Sequence, residues 1–157
     1  MLDGIQDPGN MGTLIRIADW FGVGTIICSP DCADAFAPKV VQASMGSILR
    51  VQVLYTDLVE LVKKKSGLAL YAATLKGEKL NDMPPVKEGV IVIGNESKGI
   101  SAALLDCCQH RVTIPRIGQA ESLNAAVAAG IILSHLTPSP PAPVQTDVHP
   151  GGPLHGV

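Results

Sequence analysis

Aromatic residues are scarce in this 157-residue chain, at 3%: two Phe, two Tyr and one Trp. So few exclude a sheet surface that stacks RNA bases on aromatic rings, and they leave the core to Val, Ile, Leu and Ala. A basic surplus is missing too. Twelve Lys and Arg against fourteen Asp and Glu give a net charge of −2. That excludes the signature of a stand-alone nucleic-acid binder, though not a local basic patch. No apolar stretch approaches the roughly 20 residues of a membrane span. The longest, Ala125 to Leu133, is interrupted by Gly130 and closed by Ser134 and His135. The first residues hold neither a basic nor an apolar region, so no signal peptide is read and a cytoplasmic location is expected. The cysteines are Cys28, Cys32, Cys107 and Cys108. Adjacent cysteines rarely share a disulfide or a tetrahedral zinc, so all are read as free thiols.

What is present is 46% hydrophobic and 17% charged sequence, enough for one sizeable core. Residues 1–137 read as one domain. Residues 138–157, PSPPAPVQTDVHPGGPLHGV, hold half of the prolines and no Lys or Arg. They read as an extended, Pro-rich tail in which His149 and His155 are incidental. Within the domain, short apolar runs alternate with helical patterns. Thr25–Ser29, Leu68–Ala73, Gly89–Gly94 and Arg111–Ile114 have the continuous aliphatic character of strands buried on both faces. Between them Asn10–Phe21, Thr56–Lys64, Ser101–Leu105 and Ser122–Leu136 read as helices, with Thr56 as an expected N-cap. The alternation predicts an α/β fold: a mainly parallel sheet with helices on both faces. The last helix is apolar on nearly every side, so it is expected to be buried on every side, with a second subunit as the missing cover. A central helix of one monomer is the other reading.

Three polar clusters interrupt the aliphatic pattern. The first is Asp7-Pro-Gly-Asn-Met-Gly12 with Arg16 beyond it. Here Asn10 would cap the helix, and an amide and a guanidinium would sit near one helix end, suited to phosphate or ribose. A capped helix with a surface arginine accounts for the same residues. The second, Gly94-Asn-Glu-Ser-Lys-Gly99, follows the clearest strand, where open α/β sheets bind ligands. It matches neither the dinucleotide glycine fingerprint nor an NTP phosphate loop. A polar turn is the plain alternative. The third runs from Ile114-Pro-Arg116 to Ser122-Leu-Asn124, a strand end, a loop and a helix start whose free N–H groups suit a ligand.

In this order and spacing the clusters resemble the three motifs of the SpoU (TrmH-like) family of the SPOUT methyltransferase superfamily. Asn10, Gly12 and Arg16 match motif one. Gly94-Asn95-Glu96 followed by Lys98-Gly-Ile-Ser101 matches motif two. Ile114-Pro115 and Ser122-Leu123-Asn124 match motif three, and Phe36-Ala-Pro-Lys-Val-Val with Ala43-Ser-Met-Gly46 matches the intervening segment. The resemblance covers residues 2–137. It implies a C-terminal trefoil knot, S-adenosylmethionine as cofactor, and methyl transfer to a ribose 2′-hydroxyl of tRNA or rRNA. It implies a homodimer through the final helix and no metal.

By the same resemblance, Thr74, Leu75, Gly94, Ile114 and Leu123 would bind cofactor. Asn10, Arg16, Glu96, Ser122 and Asn124 would be catalytic, and Arg16, Lys98 and Arg116 would contact RNA. Asn10 would bond ribose or phosphate. Glu96 would orient Arg16 or an arginine of a partner subunit. A guanidinium is a poor base, so orientation of phosphate or alkoxide is the easier role for Arg16. The chain departs from many relatives in three ways: a shortened first strand, Arg116 where Met is common, and Gln42 where a basic residue is common. A knotted RNA-binding module without useful catalysis is the alternative of a different class. The retained Asn10, Arg16, Glu96, Ser122 and Asn124 speak against it.

Overall fold

The computed structural model describes residues 1–65 and 67–138. Of the expected tail, residues 139–157 lie outside them. Six parallel strands form one sheet in the order β3-β2-β1-β5-β4-β6. They are β1 (Leu2–Asp3), β2 (Thr25–Cys28), β3 (Gln52–Tyr55), β4 (Leu70–Lys79), β5 (Val90–Gly94) and β6 (His110–Thr113). The helices are α1 (Pro8–Trp20), α2 (Pro38–Ser44), α3 (Leu58–Lys64), α4 (Ala102–Leu105) and α5 (Ala125–Leu136).

The pleat of β5 explains its unbroken aliphatic run. Side chains alternate between faces, and both faces are covered. Ile91 and Ile93 join the cluster built with Met11, Leu14, Ile15 and Ala18 of α1, Val40 of α2 and Ala129 and Ile132 of α5. Val90 and Val92 join the opposite cluster, with Leu58 of α3 and Leu104 of α4. β1 is short, but its pairing runs on through Met1, whose amine donates to Ile91 O at 2.7 Å and whose carbonyl accepts from Ile93 N at 3.0 Å.

Several boundaries differ from those expected. α1 is capped by Asp7, whose side chain accepts from Asn10 N; Asn10 is already inside the helix. Pro8 takes the first helical position, where its missing N–H costs nothing. α3 is likewise capped by Asp57 rather than Thr56, since the Asp57 carboxylate takes the Glu60 N–H at 2.9 Å. α5 begins at Ala125 with Asn124 as its cap, leaving Ser122 in the preceding loop. β4 starts at Leu70 and runs on to Lys79 through an irregularity between Ala73 and Glu78. β3 and α2 were not anticipated. β3 is a mostly exposed edge strand, and α2 is a single short stretch opened by proline, so neither carries a long period.

α5 is buried on one side only within the chain. Ala125, Ala126, Ala129, Ile132 and Leu136 face the core, while Val127 and Ile131 are 51% and 39% exposed. The small residues of α5 let α1 and the sheet approach one face, and among the described residues nothing covers the other, where the expected second subunit would sit. No described helix is long and apolar enough to cross a membrane.

Candidate functional site

Strand order reverses between β1 and β5: the chain proceeds outward through β2 and β3 on one side, while β5, β4 and β6 lie on the other. A parallel sheet leaves a crevice outside its carboxyl edge at such a point. Two loops leave that edge side by side: residues 4–7 lead from β1 into α1 and the first polar cluster, and residues 95–99 after β5 carry the second.

A chain of side-chain hydrogen bonds joins all three clusters. Asn10 Nδ2 donates to Glu96 Oε1 at 2.5 Å. Asn124 Nδ2 donates to Asn10 Oδ1 at 2.8 Å. Asn124 Oδ1 then accepts from Ala126 N at 2.9 Å and Val127 N at 3.2 Å, capping α5. Residues 86 and 114 positions apart in sequence therefore meet. A carboxylate, two amides and a helix N-terminus share one network, and the charge on Glu96 strengthens its bond to Asn10.

Two glycines of the motifs are explained by close approach. A Cβ on Gly12 would lie 2.5 Å from Ala43 Cβ and 2.6 Å from Val40 O, so Gly12 lets α1 cross α2. A Cβ on Gly94 would lie 2.3 Å from Gly99 C and from Ile100 N, so Gly94 lets the 95–99 loop fold back over the strand end. Asn95 holds that loop. Its side-chain oxygen accepts from Ser97 N at 2.9 Å and Lys98 N at 3.0 Å, and its Nδ2 donates to Gly4 O at 2.7 Å. Asp3 adds a second anchor, accepting from Ser101 N at 2.7 Å. Asn95, Asp7 and Asp3 were not singled out as site residues in the sequence. Asp7 and Asn95 stood within the first two polar clusters, Asn95 also within the motif-two match, whereas the signal for Asp3 was its place at a strand end.

The other expected residues are placed as follows. The β4–β5 register pairs Ala72 with Val92, and β6 pairs Val112 with Ala73. One to two residues further along, Gly94 ends β5, Ile114 follows the last residue of β6, and Thr74 opens the irregular stretch of β4 between Ala73 and Glu78, so the three lie at one level on neighbouring strands. Thr74 Oγ1 donates to Lys76 O at 2.8 Å, turning the chain at that edge. Leu75 and Leu123 are 73% and 47% exposed, so apolar surface is left open beside the strand ends. Arg16 is exposed on α1, about 9 Å further along the axis than Asn10 at 1.5 Å per residue. Glu96 bonds Asn10 within the chain, and the ion pairs among the described residues are Arg50–Asp19 and Lys64–Glu60. Lys98 and Ser122 are exposed. Arg116 Nη1 donates to Ala120 O at 3.1 Å, bracing its own loop. Two concavities lie away from this edge, one of about 440 Å³ along α5 and one of about 190 Å³ beside Tyr71 and Gly89.

Among groups outside the edge, the paired Arg50 guanidinium and the Ser47 hydroxyl hold the Asp19 carboxyl below the usual range. The four cysteines are free. The neighbouring Cys28 thiol first, then the Ser29 hydroxyl and the Ile5 N–H at 3.2 Å, push the Cys32 thiol down, to about 6.

The fold and this edge define a parallel α/β domain with a polar, loop-built site at its strand reversal. Residues 1–134 match the profile of the SpoU rRNA Methylase family. The chain belongs to that family. It is 37% identical over 139 residues to the Bacillus subtilis 23S rRNA (guanosine(2553)-2′-O)-methyltransferase RlmP, covering 87% of this chain and 56% of that protein. An AdoMet-bound rRNA methyltransferase from Sinorhizobium meliloti superposes with a TM-score of 0.79 at 32% identity, covering 86% of this chain and 53% of that one. The SpoU methyltransferase AviRb from Streptomyces viridochromogenes, in complex with AdoMet, superposes with a TM-score of 0.78 at 31% identity, over 86% and 57%. The chain thus spans a little over half the length of these relatives.

Proposed function

We propose that the edge is a methyl-transfer site, using S-adenosylmethionine to methylate a ribose 2′-hydroxyl of tRNA or rRNA. The observation that carries this reading is the Glu96–Asn10–Asn124 chain, which ties the three family motifs into one network. The relatives named as a 2′-O-methyltransferase and as AdoMet-bound enzymes supply the chemistry.

The residues present fit the cofactor. Thr74 at the irregularity of β4, Gly94 at the end of β5 and Ile114 just past β6 lie at one level on adjacent strands, where main-chain groups can meet a polar ligand. Leu75 and Leu123 offer exposed apolar surface that a purine ring would cover. The bound sulfonium supplies an electrophilic methyl group, so the chain must orient a hydroxyl and manage its proton rather than polarise a bond with a metal. Arg16 is exposed and has no carboxylate partner among the described residues, so it is free to hold the phosphate or the developing alkoxide. The Asn10 amide holds Glu96 and the α5 cap in place with one bond at each end, and its second proton and second lone pair give it capacity for ribose or phosphate. Asn124 shapes the same edge, with Ser122 and Leu123 beside it. Lys98 and Arg116 flank it as RNA contacts.

Two further features belong to this reading. A homodimer through α5 would cover Val127 and Ile131, together with Trp20 of α1, which is 83% exposed. A trefoil knot is supported by the grip of the β4–β5 connection on the end of α5. There Val86 N donates to Leu136 O at 2.7 Å, and His135 Nε2 lies 2.9 Å from Met83 O.

Calorimetric titration with S-adenosylmethionine, with oligomer mass measured on the same sample, is the first test. Saturable binding by a dimer, followed by labelled methyl transfer to bulk tRNA or rRNA, is expected. Arg16→Ala should keep cofactor affinity and lose turnover by about 10²-fold or more, the scale of a lost transition-state contact. A folded dimer that binds RNA but neither binds nor uses the cofactor would establish the non-catalytic module instead.

A further inference from the structure

We propose that Ser29, which lies outside all three motifs, is a positioning residue that fixes the 95–99 loop through the backbone of Gly4. The proposal rests on reading the sheet edge as the cofactor site. Ser29 is only 8% exposed, one of three buried polar residues among those described, with Ser44 and Ser47. Its hydroxyl donates to Asp31 Oδ1 at 2.5 Å and accepts from Gly4 N at 2.8 Å. A hydroxyl has one proton. With that proton committed to a carboxylate, a lone pair is left facing the Gly4 N–H, and the carboxylate polarises the hydroxyl into a better acceptor. The Ser29 N–H meanwhile donates to Leu2 O at 2.9 Å, so the serine is itself pinned to β1.

On its other side Gly4 offers its carbonyl to Asn95 Nδ2 at 2.7 Å. Asn95 in turn gathers the N–H groups of Ser97 and Lys98, and the loop closes where Asn95 N donates to Gly99 O at 3.0 Å and Gly99 N returns to Asn95 O at 2.8 Å. Glu96, the next residue of that loop, holds Asn10. A continuous relay therefore runs from Asp31 through Ser29, Gly4 and Asn95 to Glu96. Removing the Ser29 hydroxyl leaves the Gly4 N–H without that acceptor, which loosens the one strand end against which Asn95 is set.

The test compares Ser29→Ala and Ser29→Thr with Asp31→Ala, an exposed side chain whose loss only frees the hydroxyl proton, and with Ser47→Ala as control. Ser47 is also buried and donates to a carboxylate, Asp19, at 2.7 Å, but at the far end of α1. The readouts are the S-adenosylmethionine Kd by calorimetry, the NMR shift of the Asn95 side-chain amide, Tm, and kcat and KM for methyl transfer. Ser29→Ala should weaken cofactor binding about tenfold and shift the Asn95 amide, the scale of one lost buried hydrogen bond. Asp31→Ala should weaken it by at most about twofold, since only the polarisation is lost. Ser29→Thr should restore both readouts. Ser47→Ala should lower Tm but leave the Kd and the Asn95 shift alone.

An unchanged Kd and Asn95 shift in Ser29→Ala would overturn the proposal, as would equal weakening by Ser47→Ala. If Ser29→Ala does not fold, an unshifted Asn95 amide in Asp31→Ala overturns it. Failure of the functional reading is separately visible. Wild-type protein that does not bind the cofactor refutes that reading, while the Asn95 amide shift still decides the relay.

Discussion

Asn10→Asp is the sharpest probe of the network that joins the three motifs. The side chain is nearly isosteric, so packing is kept and only the chemistry of one atom changes. In the wild type, Nδ2 donates to Glu96 Oε1 at 2.5 Å. In the variant an oxygen faces that carboxylate at the same distance. The lost bond involved a charged partner, worth about 1.5–3 kcal/mol. Two like charges near 4 Å add about 4 kcal/mol of repulsion at an effective dielectric of about 20. The pair escapes by sharing a proton, which raises its titration above the ordinary carboxylate range. The contact to Asn124 is kept, because an aspartate oxygen still accepts from Asn124 Nδ2. Urea unfolding at fixed protein concentration, at pH 7 and pH 5, measures the consequence. The variant should be less stable than wild type by about 2–4 kcal/mol at pH 7, and the gap should narrow at pH 5 as the shared proton is taken up. Adding Glu96→Gln returns a donor to the pair, so the double variant should recover most of the loss, a non-additivity that isolates the contact. An Asn10→Asp protein with wild-type stability at both pH values would refute the network.

Gly12→Ala places a methyl 2.6 Å from the Val40 carbonyl, backbone that cannot swing aside. It should cost about 3 kcal/mol, at the upper end of overpacking, and lower Tm on the order of 10 °C by calorimetry. Adding Ala43→Gly, which removes only the contact between the two methyl carbons, should leave the protein destabilised. The Asp19 carboxyl is held below its ordinary range by Arg50 and Ser47. Its stabilisation is therefore present above pH 4 and lost as pH falls through the depressed value. The stability gap between wild type and Asp19→Asn should shrink from pH 7 to pH 3 in urea titrations. Val127→Asp with Ile131→Asp puts charge on the exposed face of α5. On the proposed pairing through that face, analytical ultracentrifugation should report a dimer for the wild type and a monomer for the variant.

The parts of the fold that were legible in the sequence are those where one physical demand dominates. β5 is buried on both faces, so Val90 to Ile93 had to be aliphatic, and the strand shows as a run. β3 lies at the sheet edge with Gln52, Leu54 and Tyr55 exposed, so no burial demand shapes it. Helix caps were misplaced for a local reason. Asp7 and Asp57 compete with Asn10 and Thr56 within a few residues, and only the backbone path decides which oxygen meets the free N–H groups. Motif spacing identified Asn10, Glu96 and Asn124, but not that they bond one another, because that contact depends on strand order. Ser29 was invisible for the same reason. It reads as the end of a strand, and its work becomes apparent only once β1 lies beside it.

The most direct test of the central claim is the chemical position of the transferred methyl. RNA incubated with the protein and S-adenosylmethionine labelled in its methyl group is recovered and hydrolysed in alkali. Alkaline cleavage requires a free 2′-hydroxyl, so a 2′-O-methylated residue survives within a dinucleotide. The account predicts label in alkali-resistant dinucleotides, lost with Arg16→Ala. Label recovered in mononucleotides would place the methyl on a base and contradict it, as would cofactor-bound protein that transfers no label to tRNA or rRNA.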